Sequence, residues 1–256
     1  MIQLFKKIRK QLLTKSKLST YSLYAIGEIV LVVIGILIAL AINNNNEVKK
    51  TKIKELNYLL GIKSDLQLNL IELKTFITTR EKSVNSAEKM LYFFKKNEEI
   101  NPNEFNFHNL QVQIWLPFKK NDNTYQELIN SGNLTIISNK SIKNILINTQ
   151  LGYKQIKILE IQMQHDFDNY MYPVYFKITD LESDLLNYTF QMSKGTEGVK
   201  AEISREKMEL LLNSQTFKNG FVLSIYNNKS LITEYQKIIL MTEKLITLID
   251  IEFEKN

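Results

Sequence analysis

Cysteine is absent from this 256-residue chain, and glycine and proline are scarce, at 8 and 3. The first absence excludes disulfides, thiolate metal sites and cysteine nucleophiles together. The second leaves few breakers over a long chain, which favours long helices over a turn-rich β fold. Histidine is scarcer still: His108 and His165 stand far apart. No His-x-x-x-His pair, P-loop or dinucleotide glycine fingerprint occurs, and no serine sits in a nucleophile-elbow pattern. Neither an enzyme nor a cofactor or resident metal is expected.

Arginine is also rare. Only Arg9, Arg80 and Arg205 accompany the lysines among 33 basic residues. Bidentate recognition of phosphates and base edges falls mainly to arginine, so its scarcity argues against nucleic acid. The net charge of +6 says little more, because Lys6, Lys7, Arg9, Lys10, Lys15 and Lys17 account for it; 27 basic and 27 acidic residues remain beyond them. The basic balance describes a tail rather than a basic fold. With 44% hydrophobic residues the chain can bury a sizeable core.

What is present is a long apolar run. Residues 23–42 hold one ionisable group, Glu28. At about 1.5 Å per residue they reach about 30 Å, the thickness of a bilayer's hydrocarbon core. Tyr21 and Tyr24 lie where an interfacial aromatic belt belongs, and four asparagines from Asn43 end the run abruptly. Two rival readings fit less well. Ala39-Leu-Ala41 has the small-x-small pattern of a signal-peptide cleavage site, but the run is longer than a signal core and carries a glutamate. The other is a buried core helix of a soluble protein, which uniform Ile, Val and Leu on every face over this length fits less well than a span. The expectation is one transmembrane helix.

Six basic residues lie on its N-terminal side, against Lys49, Lys50, Lys52 and Lys54 on the other. That bias predicts a cytoplasmic N-terminus and, in a bacterial inner membrane, a periplasmic domain from residue 43 to residue 256. Within residues 1–22, Leu4, Phe5, Ile8 and Leu12 recur at helical spacing, with Lys6, Lys7, Arg9 and Lys10 between them. The segment reads either as an amphipathic helix on an anionic leaflet or as a plain basic flank. Glu28, Gly35 and Ala39 fall on one face of the span, and Gly35-x-x-x-Ala39 is a small-xxx-small spacing that lets helices approach closely. The expected partners are membrane lipids and either a second copy or another membrane protein; Glu28 reaching the headgroups is the plainer alternative.

The span also carries a resemblance. Tyr24-Ala-Ile-Gly-Glu-Ile-Val-Leu-Val-Val-Ile-Gly-Ile-Leu-Ile-Ala-Leu40, then Ile42-Asn-Asn44 and Asn46-Glu47, resemble the N-terminus of an uncharacterised Bacteroidota family, domain of unknown function 6090. Tyr125-Gln-Glu-Leu-Ile-Asn-Ser-Gly-Asn-Leu134 and Phe217-Lys-Asn219 resemble its later motifs. Relatives carry Gln where this chain has Ala41 and Trp where it has Asn45. The resemblance implies a single-span membrane protein and supplies no activity.

Beyond the span, apolar residues from Ile53 to Phe94 recur near three-and-four spacing and predict one long helix over 47–97, continuous with the span. Residues 98–121, with Pro102, Trp115 and Pro117, read as a connector. Thr124-x-x-Glu127 reads as a capping box for a short helix over 122–131, ended by Gly132. A second long helix over 139–172 should stop at Pro173. Thr179-x-x-Glu182 should start another, residues 193–200 form a loop, residues 204–213 a short helix, and residues 216–254 the last long one. The fold class is all-α: an N-terminal transmembrane helix, then a long-helix antiparallel bundle.

Two clusters merit naming. His165 and Asp168 lie one turn apart, a spacing that can chelate a metal but more often marks a solvated face. Tyr170, Tyr172, Tyr175 and Phe176 form an aromatic run that reads as a ligand pocket, a protein contact or packing around Pro173. The leading expectation is a membrane-anchored helical interaction or scaffold module. The alternative is a periplasmic small-ligand-sensing helical bundle with that run as its lining.

Overall fold

The computed structural model describes residues 18–95 and 99–255, together with Lys6. The described residues are mostly helical and hold no strand, so the all-α expectation is met. The elements in chain order are α1 (Leu18–Phe93), α2 (Pro102–Gln113), α3 (Asn123–Asn130), a 3₁₀ turn (Asn133–Ile136), α4 (Lys140–Asp166), a π turn (Phe167–Met171), α5 (Tyr172–Ile178), α6 (Leu181–Met192), α7 (Arg205–Leu212) and α8 (Gln215–Glu254). The chain divides into two compact units, Met1–Asn57 and Tyr58–Asn256.

In the first unit, every described side chain from 26 to 42 is exposed. Lys6 is helical and exposed; Lys7, Arg9 and Lys10 lie outside the described residues. The second unit is built on three long helical stretches. Cross-contacts fix their directions. Lys63 meets Asp250 and Lys74 meets Glu243, so α8 runs antiparallel to α1. Asn139 meets Glu252 and Asn227 meets Asp166, so α8 is antiparallel to α4 as well. Tyr58 meets Ser131 and Asn133 just before α4, and Arg80 meets Glu160 near its end, so α1 and α4 run the same way. The chain between them, through α2 and α3, therefore has to return to its starting end.

The apolar core falls into two clusters. Leu59, Ile62, Leu66, Leu128, Ile142, Leu146, Leu245 and Ile249 fill one end. The larger one gathers Leu73, Met90, Tyr153, Met163, Phe167, Phe217, Phe221 and Tyr235. Between them each long helix turns a buried polar residue inward at the same level: Asn69 from α1, Thr149 and Gln150 from α4, Thr242 from α8. Asn69 uses its amide as a clamp, donating to the Asn121 carbonyl and accepting the Asn121 N–H, both at 2.7 Å. Burial pushes the neighbouring Tyr153 hydroxyl up to about 12.

Local chemistry departs from expectation in three places. Residues 98–121 contain a helix, α2, because Pro102 starts it rather than breaking a segment: Asn101 caps it by accepting the Asn103 N–H, and a proline at the first helical position loses no bond. The capping box at Thr124 does not form. Asp122 is the cap residue of α3, and the Thr124 N–H donates instead to Asp65 on α1. Pro173 does not end the structure either. The π turn widens the helix just before it, and the chain resumes as α5 with Pro173 at its start, where no N–H is needed. The expected short helices are otherwise present; α6 is capped by Asp180 rather than Thr179, and α7 by Ser204.

Gly220 on α8 lies so close to the π turn that a Cβ there would overlap the Met171 side chain, itself wholly buried. Gly220→Ala should therefore destabilise the protein by about 1–3 kcal/mol, the usual cost of overpacking a rigid core. Urea denaturation of the variant against the parent chain measures it.

Candidate functional site

Two places combine unusual residues with unusual surroundings: the exposed apolar segment of α1 and the buried charges at the centre of the second unit.

Glu28, Gly35 and Ala39 are all exposed on α1. A side chain added at Gly35 would meet nothing within 4 Å. The helix thus carries these three residues with their face open, among large apolar side chains that are also open.

The second place is organised by Arg80, which is 2% exposed. Its Nη2 donates to the Leu116 carbonyl at 3.0 Å and lies 3.8 Å from Glu160 Oε1. Its Nη1 points to Asn228 Oδ1 at 3.5 Å. The guanidinium carbon stands 5.4 Å over the Trp115 ring and 5.8 Å over Phe76. Glu160 in turn accepts the Phe118 N–H at 2.7 Å. Burial raises the Glu160 carboxyl above its ordinary value, while the Phe118 N–H and the Arg80 charge pull it back. Arg80 Nε, Glu160 Oε2 and the Tyr235 hydroxyl find no hydrogen-bond partner among the described residues. A pair this buried is costly to form and costlier to break. Both members grip the stretch from Leu116 to Phe118, so their geometric effect is to strap that stretch across α1 and α4.

A cleft of about 270 Å³ opens beside the strap, between Trp115 and Pro117 on one side and Lys157, Ile161, Asp168 and Tyr172 on the other. Its wall continues as a stack of rings: Trp115 on Phe167 at 6.2 Å, Phe167 on Tyr172 at 5.6 Å, Tyr172 on Phe176 at 5.3 Å. The Tyr172 hydroxyl donates to the Gln113 carbonyl at 3.0 Å, which fixes its ring.

The aromatic run therefore does not line one pocket. Tyr172 faces this cleft, whereas Tyr175 is buried and lines a different one under α5 and α6. Tyr170 and Phe176 are exposed. The π turn rotates the run, so residues at helical spacing part company. His165 is exposed beside Asp166, and no group of three or more potential ligands occurs among the described residues. Arg80 and Glu160 escaped the sequence reading because one charged residue in an amphipathic helix looks like solvated surface. The one available signal was the rarity of arginine itself.

Arg80→Met should cost about 3–5 kcal/mol, since it strands a buried carboxylate, and adding Glu160→Gln in the same chain should return much of that loss. Glu160→Gln alone should also change the pH dependence. A carboxyl whose folded pKa is raised above its ordinary 4.5 holds its proton longer in the folded state, so its contribution to stability falls as pH rises from about that value. That fall should disappear in the variant. Urea midpoints between about pH 4 and about pH 7 read both effects.

No curated protein and no solved structure matches this chain. One family does: residues 28–170 match the profile of a family of unknown function, DUF6090. The match begins at Glu28, takes in the apolar segment from there to residue 42, Arg80, the strap and Glu160, and ends at Tyr170, so Phe217-Lys-Asn219 lies beyond it. It covers more than half of the chain, which therefore belongs to this family.

Proposed function

We propose that this protein is a single-pass, membrane-anchored helical module that works by binding other proteins or a second copy of itself rather than by catalysis. The observation that carries the reading is the state of the apolar segment. Twelve Ile, Val and Leu side chains between Ile26 and Ile42 are each about half exposed or more, and none of the segment's apolar core is buried. Full burial of such a side chain stabilises by about 1.5–3 kcal/mol, so covering its exposed half gains about 0.8–1.5 kcal/mol. Leaving twelve in water forgoes on the order of 10–20 kcal/mol, as much as the whole stability of a typical domain. A bilayer covers them on every face at once.

Within lipid, Glu28, Gly35 and Ala39 become the face where a second helix can pack, because small residues allow close approach and a carboxylate gains from a polar partner. The basic tail and the charge bias favour a cytoplasmic N-terminus and a second unit in the periplasm of a bacterial inner membrane. A second reading, small-ligand sensing, draws on the cleft walled by Trp115 and Tyr172, whose aromatic faces and polar rim suit an organic ligand.

The anchored reading is tested by fractionation and a reporter. The full chain should stay with membranes through alkaline carbonate washing and leave them only with detergent. Removal of residues 1–46 should release it. A periplasm-dependent alkaline phosphatase fused at the C-terminus should be active. A full chain that is soluble without detergent, or a mature chain that starts after Ala41, overturns the proposal.

A further inference from the structure

The second cleft, under α5 and α6, is small, about 100 Å³, and its chemistry is one-sided. Asp184, 7% exposed, lines it from α6. One carboxylate oxygen, Oδ2, receives the Tyr175 hydroxyl at 2.5 Å. The Thr179 hydroxyl also stands near enough to the carboxylate to lower its pKa, but no geometric hydrogen bond to Oδ1 forms among the described residues, and that atom is not among those sealed from the surface. Asn106, 2% exposed, lines the same cleft from α2. Both hydrogens of its amide are spent inward, on the Asp184 carbonyl at 2.9 Å and on Asn187 Oδ1 at 3.2 Å. Those two acceptors fix which way the amide points, so its own oxygen is left as an acceptor without a donor.

The rim repeats the pattern. Asp180 and Glu202 stand there, against one cation, Lys207. The Ser183 hydroxyl is already donated to Asp180 at 3.0 Å and the Thr179 hydroxyl to the Tyr175 carbonyl at 3.1 Å. The floor is apolar, with Phe105, Met208 and Leu211. Burial raises the Asp184 carboxyl, so the site holds its negative charge at a cost. A buried carboxylate that keeps one oxygen open and a buried amide oxygen without a donor, set over an apolar floor, are complementary to a short alkyl chain ending in a group that donates several hydrogen bonds and carries positive charge.

We infer that the cleft between α2, α5, α6 and α7 binds a small primary ammonium compound, with Asp184 and Asn106 accepting from the ammonium and Phe105, Met208 and Leu211 receiving its alkyl chain. This site is separate from the Trp115 cleft, and it does not depend on where the chain is anchored. A carboxylate-bearing ligand would meet like charge there, and an alcohol of the same shape would supply one donor where two acceptors wait.

The test is calorimetric titration of the full chain in detergent micelles with n-butylammonium chloride, sodium butyrate and 1-butanol. Saturable binding of butylammonium, with butyrate silent and butanol at least about tenfold weaker, is the expected result. Asp184→Asn should weaken butylammonium at least about tenfold, while Asp168→Asn at the other cleft should leave it unchanged. No butylammonium binding, binding no tighter than that of butanol, or binding unaffected by Asp184→Asn in a folded variant overturns the inference. Should Asp184→Asn fail to fold, the comparison of the three probes on the parent chain decides alone.

Discussion

One buried guanidinium ties the second unit together. Arg80 leaves α1, touches Asn228 of α8, stands beside Glu160 of α4 and holds the Leu116 carbonyl of the strap. Four segments distant in sequence thus meet on a single group that cannot lose its charge. The cost of bringing it out of water is large and is only partly offset, since its Nε and one Glu160 oxygen stay without partners. Such an arrangement adds little net stability. Its effect is specificity: alternative registers of the three long helices would strand a charge in an apolar core. The polar level formed by Asn69, Thr149, Gln150 and Thr242 acts in the same direction, because sliding one helix by a turn would set each of these against leucine or isoleucine.

This reliance on polar registration explains what could and could not be read from the residues alone. The long helices are legible as helices, since apolar residues from Ile53 to Phe94 recur near helical spacing, but the buried face of α1 runs through Leu59, Ile62, Leu66 and Leu73 and leaves Ile53 exposed. Gly132 was legible as a helix stop because its left-handed backbone, φ 70°, suits glycine. Pro102 and Pro173 mislead for one reason. Both begin helices, and a proline that begins a helix and one that ends the preceding segment leave the same mark in a sequence. Thr124 was misjudged because its backbone N–H is taken by Asp65, a residue about sixty positions earlier. Local cap chemistry cannot anticipate a tertiary competitor.

The sites were less legible than the fold. Tyr172 and Tyr175 were singled out together and both line cavities, yet the π turn before them sends one toward Trp115 and the other toward Asp184. A widened turn has no marker in composition. Asn106, Asp184, Arg80 and Glu160 are single polar residues on helices, indistinguishable in sequence from residues that face solvent. Their significance lies in being buried with atoms left over, which only the packing reveals.

Those leftover atoms bear on what kind of module this is. A helical spacer or a tether needs a core and a surface and gains nothing from a carboxylate and an amide oxygen held open at the bottom of a cleft, where desolvation already opposes their charge and polarity. Replacing Asp184 by a leucine against Phe105, Met208 and Leu211 would be the cheaper solution for a purely structural helix. The cleft instead keeps Asn106 oriented by two internal acceptors so that its oxygen stays unused. That orientation costs hydrogen-bonding capacity inside the protein and is recovered only when something outside the chain donates to it. The apolar segment of α1 poses the same problem in hydrophobic form, as surface whose stabilising partner is not part of the chain. Both features leave interaction capacity unused among the described residues, and that is the physical ground for proposing a binding role over a purely structural one.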